Sequence, residues 1–147
     1  MKLYAAYGMN TNKYFMPPDL LGRGGGEIID YRLAFNRHAT IIPESGSTVP
    51  CVVWEMDEKL EKGLDYRETY PTYYRKENVN VKLSDGIILT AVAYVMNDTG
   101  KLLAPETSYL DLIKEGYKQH GIKTDKLSSI ANNQRGIDTS NSNGGAK

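Results

Sequence analysis

Leu64-Asp65-Tyr66-Arg67-Glu68-Thr69-Tyr70-Pro71 places a carboxylate where an amphipathic helix would bury an apolar side chain. With a helix over residues 57–67, Met56, Leu60, Leu64 and Glu68 recur every fourth residue and share one face. Two readings of Glu68 follow. In one it continues the apolar stripe inward, where loss of water raises its pKa toward the range useful for proton transfer at neutral pH. In the other the helix stops at Arg67, ahead of the break at Pro71, and Glu68 points to solvent. Tyr66, Tyr70, Tyr73 and Tyr74 flank it and could supply an apolar wall and hydroxyl donors.

Strand patterns lie on both sides of this helix. Upstream, residues 2–7 read as a first strand that stops at Gly8, Pro17-Pro18 breaks the chain, and residues 22–26 read as a permissive glycine loop. Residues 29–35 then alternate with period two. Two short apolar runs follow, residues 39–43 and 51–56, separated by the turn-rich Glu44-Ser45-Gly46-Ser47-Thr48. Downstream, residues 73–83 put Val79, Val81 and Leu83 on one face, and Asp85-Gly86 links them to residues 87–96 as a hairpin. Pro105 opens a second helix with the stripe Tyr109, Ile113, Tyr117, His120, ending at Gly121. Residues 128–147, rich in Ser, Asn and Gly, read as a disordered tail, which places the domain at residues 1–127.

Length and charge limit the function. The 147 residues suit one domain, and 18 basic against 18 acidic side chains leave no field that would favour nucleic acid or an anionic membrane. A small molecule is the expected partner. The lone Cys51 cannot form an internal disulfide and sits among apolar neighbours, so it reads as core. The first residues turn polar too soon for a signal peptide and no apolar run reaches membrane length, so the expected location is the cytoplasm.

Several motifs are excluded on chemistry. The glycines at 22–26 lack the Gly-Lys-Ser/Thr of a phosphate loop, His38 and His120 have no close second ligand for a metal, and Ser45 lacks a nucleophile-elbow context. Eleven tyrosines against two phenylalanines fit a core with polar tips. Tyr7-Gly8-Met9-Asn10 is different: a strand ending in glycine can turn consecutive backbone N–H groups toward one point and form an anion-binding nest.

Together these segments resemble the gamma-glutamylcyclotransferase-like family, which includes gamma-glutamylamine cyclotransferases and plant avirulence-induced proteins. Tyr7-Gly8-Met9-Asn10 is similar to the family's Tyr-Gly-Ser-Asn, Tyr31-Arg32-Leu33-Ala34-Phe35 to its Tyr-Arg-Leu-x-Phe strand, and residues 39–43 and 53–56 to two further strands. Leu64 through Pro71 resembles Leu-Asp-x-x-Glu-Gly-Tyr-Pro, and Pro105 through Gly121 the late helix with its Tyr, Gly and His-Gly. The order is the family's, over roughly residues 3–125.

The resemblance implies an α+β fold, a small mixed or antiparallel β-barrel with flanking helices and a cavity at one barrel end. It implies release of 5-oxoproline and an amine from a gamma-glutamyl substrate, with neither metal nor organic cofactor. Glu68 falls on the catalytic glutamate, Tyr109 on the active-site tyrosine, and Tyr7, Gly8, Met9 and Asn10 on the substrate-binding turn. Met9 replaces the usual serine, and Thr69 the glycine after the glutamate, where a Cβ restricts the backbone if φ must be positive. These departures motivate the alternative of a noncatalytic binding or sequestering module on the same fold. The sequence leaves the released amine and the oligomeric state open.

Overall fold

Period-two alternation builds five strands that close on themselves: β1 (Lys2–Ala6), β2 (Gly22–Asn36), β3 (His38–Met56), β4 (Tyr74–Leu83) and β5 (Ile88–Met96), ordered β1-β3-β2-β4-β5 around a barrel. The computed structural model describes the backbone of residues 1–145 and the side chains of residues 1–136. Neighbouring strands are antiparallel except β1 and β5, which meet in parallel at Tyr4 and Val92. That single parallel seam makes the barrel mixed and leaves the sheet without a free edge. The expected α+β barrel with flanking helices is the fold observed.

Side chains alternate inward, so Ala5, Ile28, Phe35, Val53, Val81 and Ala93 fill the barrel. Cys51 is among them, fully buried, and burial pushes its thiol up to about 12, which leaves it inert as a nucleophile.

Two segments read as loops are strand. Residues 22–26 belong to β2 and pair with β3 from Gly22 opposite Trp54 to Gly26 opposite Cys51. Their glycines answer close approach: a Cβ on Gly26 would lie 2.9 Å from the Lys82 carbonyl oxygen, and one on Gly22 3.3 Å from the Trp54 ring. Residues 44–48 likewise sit within β3, at a bulge where the register jumps from Ile29–Thr48 to Tyr31–Pro43. The turn chemistry is used there, since the Gly46 N–H (φ 85) donates to Asp30 Oδ1 at 3.0 Å.

Among the described residues three α-helices flank the barrel. α1 (Glu58–Arg67) is capped by Asp57, whose Oδ1 accepts from the Leu60 N–H at 2.8 Å. α2 (Thr107–Gln119) follows Pro105 and ends at His120 and Gly121, the latter at φ 69. α3 (Asp125–Gly145) corrects the expected tail. Its composition is polar, yet Leu127 and Ala131 are fully buried against the barrel. Gln134 lies beneath them, accepting from the Phe35 N–H at 2.9 Å and donating to the Phe35 carbonyl at 2.6 Å. A few small contacts at helical spacing therefore order a segment that bulk composition marks as unstructured. The last two residues of that tail, Ala146 and Lys147, lie outside the described residues. Among the described residues no helix is long and apolar enough to cross a membrane.

Candidate active site

The carboxyl ends of β1, β2 and β5 and the amino ends of β3 and β4 surround a cavity of about 590 Å³. The turn after β1, the end of α1, the start of β4 and the first turn of α2 wall it, through Gly8, Met9, Asn10, Glu68, Tyr74 and Tyr109. Every residue expected at the site from sequence, Tyr7 included, lines this one space.

How α1 stops decides where Glu68 goes. The Tyr70 N–H bonds the Asp65 carbonyl at 2.9 Å and the Thr69 N–H bonds that of Tyr66 at 3.2 Å, a Schellman closure with Thr69 at φ 51. Glu68 becomes the C-cap residue, φ −89 and ψ 2. The helix thus ends at Arg67, as the solvent-facing reading required, yet the Glu68 side chain lines the cavity, as the other required. Burial raises its pKa above the usual glutamate value, and the neighbouring Arg67 guanidinium opposes part of that rise. A carboxylate at the negative end of α1 is disfavoured in the same sense as burial.

Thr69 is the residue that the backbone tolerates least. A β-branched side chain in the left-handed region costs about 1–2 kcal/mol, of which glycine's greater freedom when unfolded returns roughly half. Thr69→Gly should therefore stabilise the protein by about 0.5–1 kcal/mol in urea unfolding. A loss of stability would mean that Thr69 makes a compensating contact.

α1 is held to the barrel by charge. Lys76 on β4 reaches Glu61 at 2.8 Å and Asp65 at 2.9 Å, Lys2 on β1 pairs with Glu61 at 3.0 Å, and the Tyr94 hydroxyl on β5 donates to Asp65 at 2.5 Å. Strands β1, β4 and β5 thereby fix the helix whose end presents Glu68. Tyr70 lies over Lys76, 4.3 Å from ring centroid to Nζ, and Tyr66 is 87% exposed, so only Tyr73 and Tyr74 of the four flanking tyrosines reach the cavity.

Across the cavity wall, β1 ends at Ala6 and Gly8 precedes a 3-10 turn, Met9–Thr11, as its N-cap. A Cβ at Gly8 would stand 3.2 Å from the Ala39 Cβ and 3.4 Å from the Tyr109 hydroxyl, so a side chain there would press on both. The Met9 and Asn10 N–H groups head that turn and have no acceptor among the described residues. Three elements clamp it. Asn10 donates to the Tyr4 hydroxyl at 2.9 Å, accepts from Arg67 Nη2 at 2.9 Å, and offers its carbonyl to Trp54 Nε1 at 2.9 Å.

The two phenols Tyr109 and Tyr74 bond the same residue, Ala39. The Ala39 N–H donates to the Tyr109 oxygen at 3.0 Å, while the Tyr74 hydroxyl donates to the Ala39 carbonyl at 3.0 Å. Tyr109 therefore keeps its own proton to donate, and Tyr74 keeps lone pairs to accept. Burial pushes Tyr109 up to about 12 and Tyr74 upward as well, so both are neutral phenols near neutral pH. The Tyr7 hydroxyl is committed to the Tyr94 carbonyl and serves as wall.

Sequence reasoning missed Tyr4, Tyr94, Arg37, His38 and Arg67 as cavity residues. His38, which the sequence shows without a second metal ligand, is exposed, with its ring edge-on to Tyr109 at 5.1 Å. Among the described residues no group of three or more His, Cys, Asp or Glu side chains is placed to hold a metal ion.

A five-stranded mixed barrel with a desolvated acid and a main-chain amide turn in one cavity defines the gamma-glutamyl cyclotransferase class of fold. Residues 4–117 match the family described as gamma-glutamyl cyclotransferase, AIG2-like, and the chain belongs to that family. A protein of Methanocaldococcus jannaschii, provisionally named a gamma-glutamylcyclotransferase, is 27% identical over 107 residues, covering 69% of this chain and 85% of its own. A solved structure named gamma-glutamyl cyclotransferase superposes with a TM-score of 0.77 at 23% identity, over 88% of this chain and 85% of its own. An uncharacterised Homo sapiens protein does so with a TM-score of 0.77 at 24% identity and the same coverage. These structural likenesses establish the fold.

Proposed function

We propose that this protein is a gamma-glutamyl cyclotransferase that releases 5-oxoproline and a free amine from a gamma-glutamyl amine or gamma-glutamyl peptide. The observation that carries the reading is Glu68: a desolvated carboxyl, with its pKa raised, in the same cavity as the unpartnered Met9 and Asn10 amides. The substrate's α-amine nitrogen attacks its own gamma-carbonyl carbon, a C–N bond closes the five-membered ring, and the C–N bond to the released amine breaks. Folding the substrate so that its two ends meet supplies much of the rate. Glu68 takes the proton from the attacking nitrogen and returns it to the leaving one, the Gly8, Met9 and Asn10 amides hold the carbonyl oxygen as it gains charge, and the Tyr109 hydroxyl donates to the substrate.

The departures at positions 9 and 69 favour the binding-module alternative less than the sequence suggests. Thr69 adopts the positive φ that a glycine there would take, so Glu68 still reaches the cavity. Met9 contributes its main chain to the turn whatever its side chain. The family relationship and these two observations support turnover of a small gamma-glutamyl molecule, with no nucleic acid or membrane partner. A cytoplasmic setting belongs to the same reading, since the lone buried Cys51 needs no oxidising compartment.

Incubation with a panel of gamma-glutamyl amines and dipeptides should release 5-oxoproline in stoichiometry with the free amine. Ligand-induced thermal stabilisation without any 5-oxoproline would overturn the enzyme in favour of the binding module.

A further inference from the structure

Six tyrosines line the cavity, and the destination of each phenol proton separates them. Tyr7 donates to the Tyr94 carbonyl, Tyr74 to the Ala39 carbonyl at 3.0 Å, and Tyr94 to Asp65 at 2.5 Å. Tyr73 is 65% exposed and can donate to solvent. Tyr4 and Tyr109 remain. Each hydroxyl accepts an N–H, Tyr109 from the Ala39 main chain and Tyr4 from Asn10 Nδ2 at 2.9 Å, and neither proton has an acceptor among the described residues. Tyr109 faces the substrate, which leaves the proton of Tyr4, a side chain only 4% exposed, without a destination.

Glu68 lacks the complementary group. It caps the carboxyl end of α1, where the free main-chain groups are carbonyls, so its own helix offers it no donor. Burial and the Arg67 charge act on its carboxyl, and no hydrogen bond reaches that carboxyl among the described residues. The neutral acid tolerates this. The carboxylate left when the proton moves does not, because a charge held away from water has to be hydrogen-bonded. Arg67 directs Nη2 to Asn10 and Nη1 to the Phe15 carbonyl, Arg37 at the β2–β3 reversal is tied to the Ala104 carbonyl, and His38 beside it is exposed.

A short chain of bonds brings Tyr4 to the acid. Tyr4 packs in one buried cluster with Leu64 of α1, a single turn before Glu68. Arg67, the residue preceding Glu68, donates to Asn10 Oδ1 at 2.9 Å, and the amide nitrogen of that same side chain donates to Tyr4. Asn10 thus ties the phenol oxygen to the end of α1 and, by occupying one of its lone pairs, turns the proton elsewhere. After burial, the Glu68 charge is the largest influence on the Tyr4 phenol.

We infer that Tyr4 is a positioning residue for Glu68, its hydroxyl donating to the carboxylate when the acid gives up its proton. This rests on the role of Glu68 in the cyclotransferase reading and supplies the donor that α1 lacks. The bond favours the charged form, so it limits how far burial lifts the acid and keeps Glu68 able to act as a base near neutral pH.

The test reads the carboxyl directly. Glutamate is labelled at its side-chain carboxyl carbon, the Glu68 resonance is assigned by its loss in Glu68→Gln, and its pKa is followed by carbon NMR in the wild type and in Tyr4→Phe. Loss of a charge-assisted hydrogen bond should raise that pKa by about one pH unit or more, and the acid limb of kcat/KM should move upward with it. A purely structural role predicts the reverse, since loosened packing admits water to Glu68 and lowers its pKa. An unchanged or lowered value in Tyr4→Phe overturns the inference. Absence of 5-oxoproline from every gamma-glutamyl compound overturns the cyclotransferase instead, while the carbon titration still decides whether Tyr4 serves Glu68. If Tyr4→Phe does not fold, a ring-fluorinated tyrosine at position 4 keeps the shape and makes the phenol a stronger donor. The Glu68 pKa should then fall, and a value that stays or rises overturns the inference.

Discussion

Glu68→Gln should lower 5-oxoproline release by at least about a thousandfold, since one carboxyl is asked both to accept and to return a proton and an amide does neither. The same change should make the folded protein more stable at neutral pH. Burial raises the Glu68 pKa in the folded state, so between its unfolded and folded values the native protein binds more protons than the unfolded chain. Stability is then fully present below the unfolded pKa and lost as pH rises through the folded one. Glutamine removes that loss. The acid limb of the wild-type kcat/KM profile should rise through a pKa above the ordinary glutamate value of 4.5, and in Glu68→Gln both this limb and the matching slope of stability against pH should disappear. A variant that is inactive but less stable at pH 7 would show that the carboxylate is needed structurally; a variant that still turns over would remove Glu68 from the chemistry.

Gly116→Ala should cost about 3 kcal/mol or more, the upper end for overpacking. α2 crosses the 3-10 turn so closely that the new Cβ would lie 2.2 Å from Thr11 Oγ1, 2.7 Å from the Asn12 nitrogen and 2.8 Å from the Thr11 carbonyl carbon. Two of those atoms are main chain and cannot swing aside. Relief requires moving either the helix that carries Tyr109 or the turn that carries the Met9 and Asn10 amides, and both belong to the cavity. Loss of kcat/KM should therefore exceed the fraction unfolded. Gly63→Ala provides the contrast, because that glycine lies within α1 with nothing within 4 Å of its virtual Cβ and should gain about 1 kcal/mol from helix propensity. Similar behaviour of the two variants in urea denaturation would show that the crossing at Gly116 yields.

Much of this was legible because dihedral preference is local. Pro105 and Gly121 bracketed the second helix and Asp85-Gly86 marked the hairpin, each by its own backbone chemistry, whereas Asp57, read as the first helical residue, is the cap before it. The fourfold spacing from Met56 to Glu68 identified the acid, although the helix delivers it as a cap rather than as the next rung of a stripe. What failed depends on partners remote in sequence. The glycines at 22–26 looked like freedom because nothing nearby discloses that Trp54, Lys82 and Ile122 press on them. That Arg37 and Arg67 would meet at one cavity was equally hidden, since the fold and not the local sequence brings their two walls together.

Gln134 carries a consequence for where this molecule ends. Its amide grips both hydrogen-bonding groups of Phe35, imitating a neighbouring strand with one side chain. Trimming the chain at residue 127, as composition invites, would strip the Phe35 N–H of its acceptor and leave its carbonyl to the Leu103 N–H alone, undoing one join in the barrel wall.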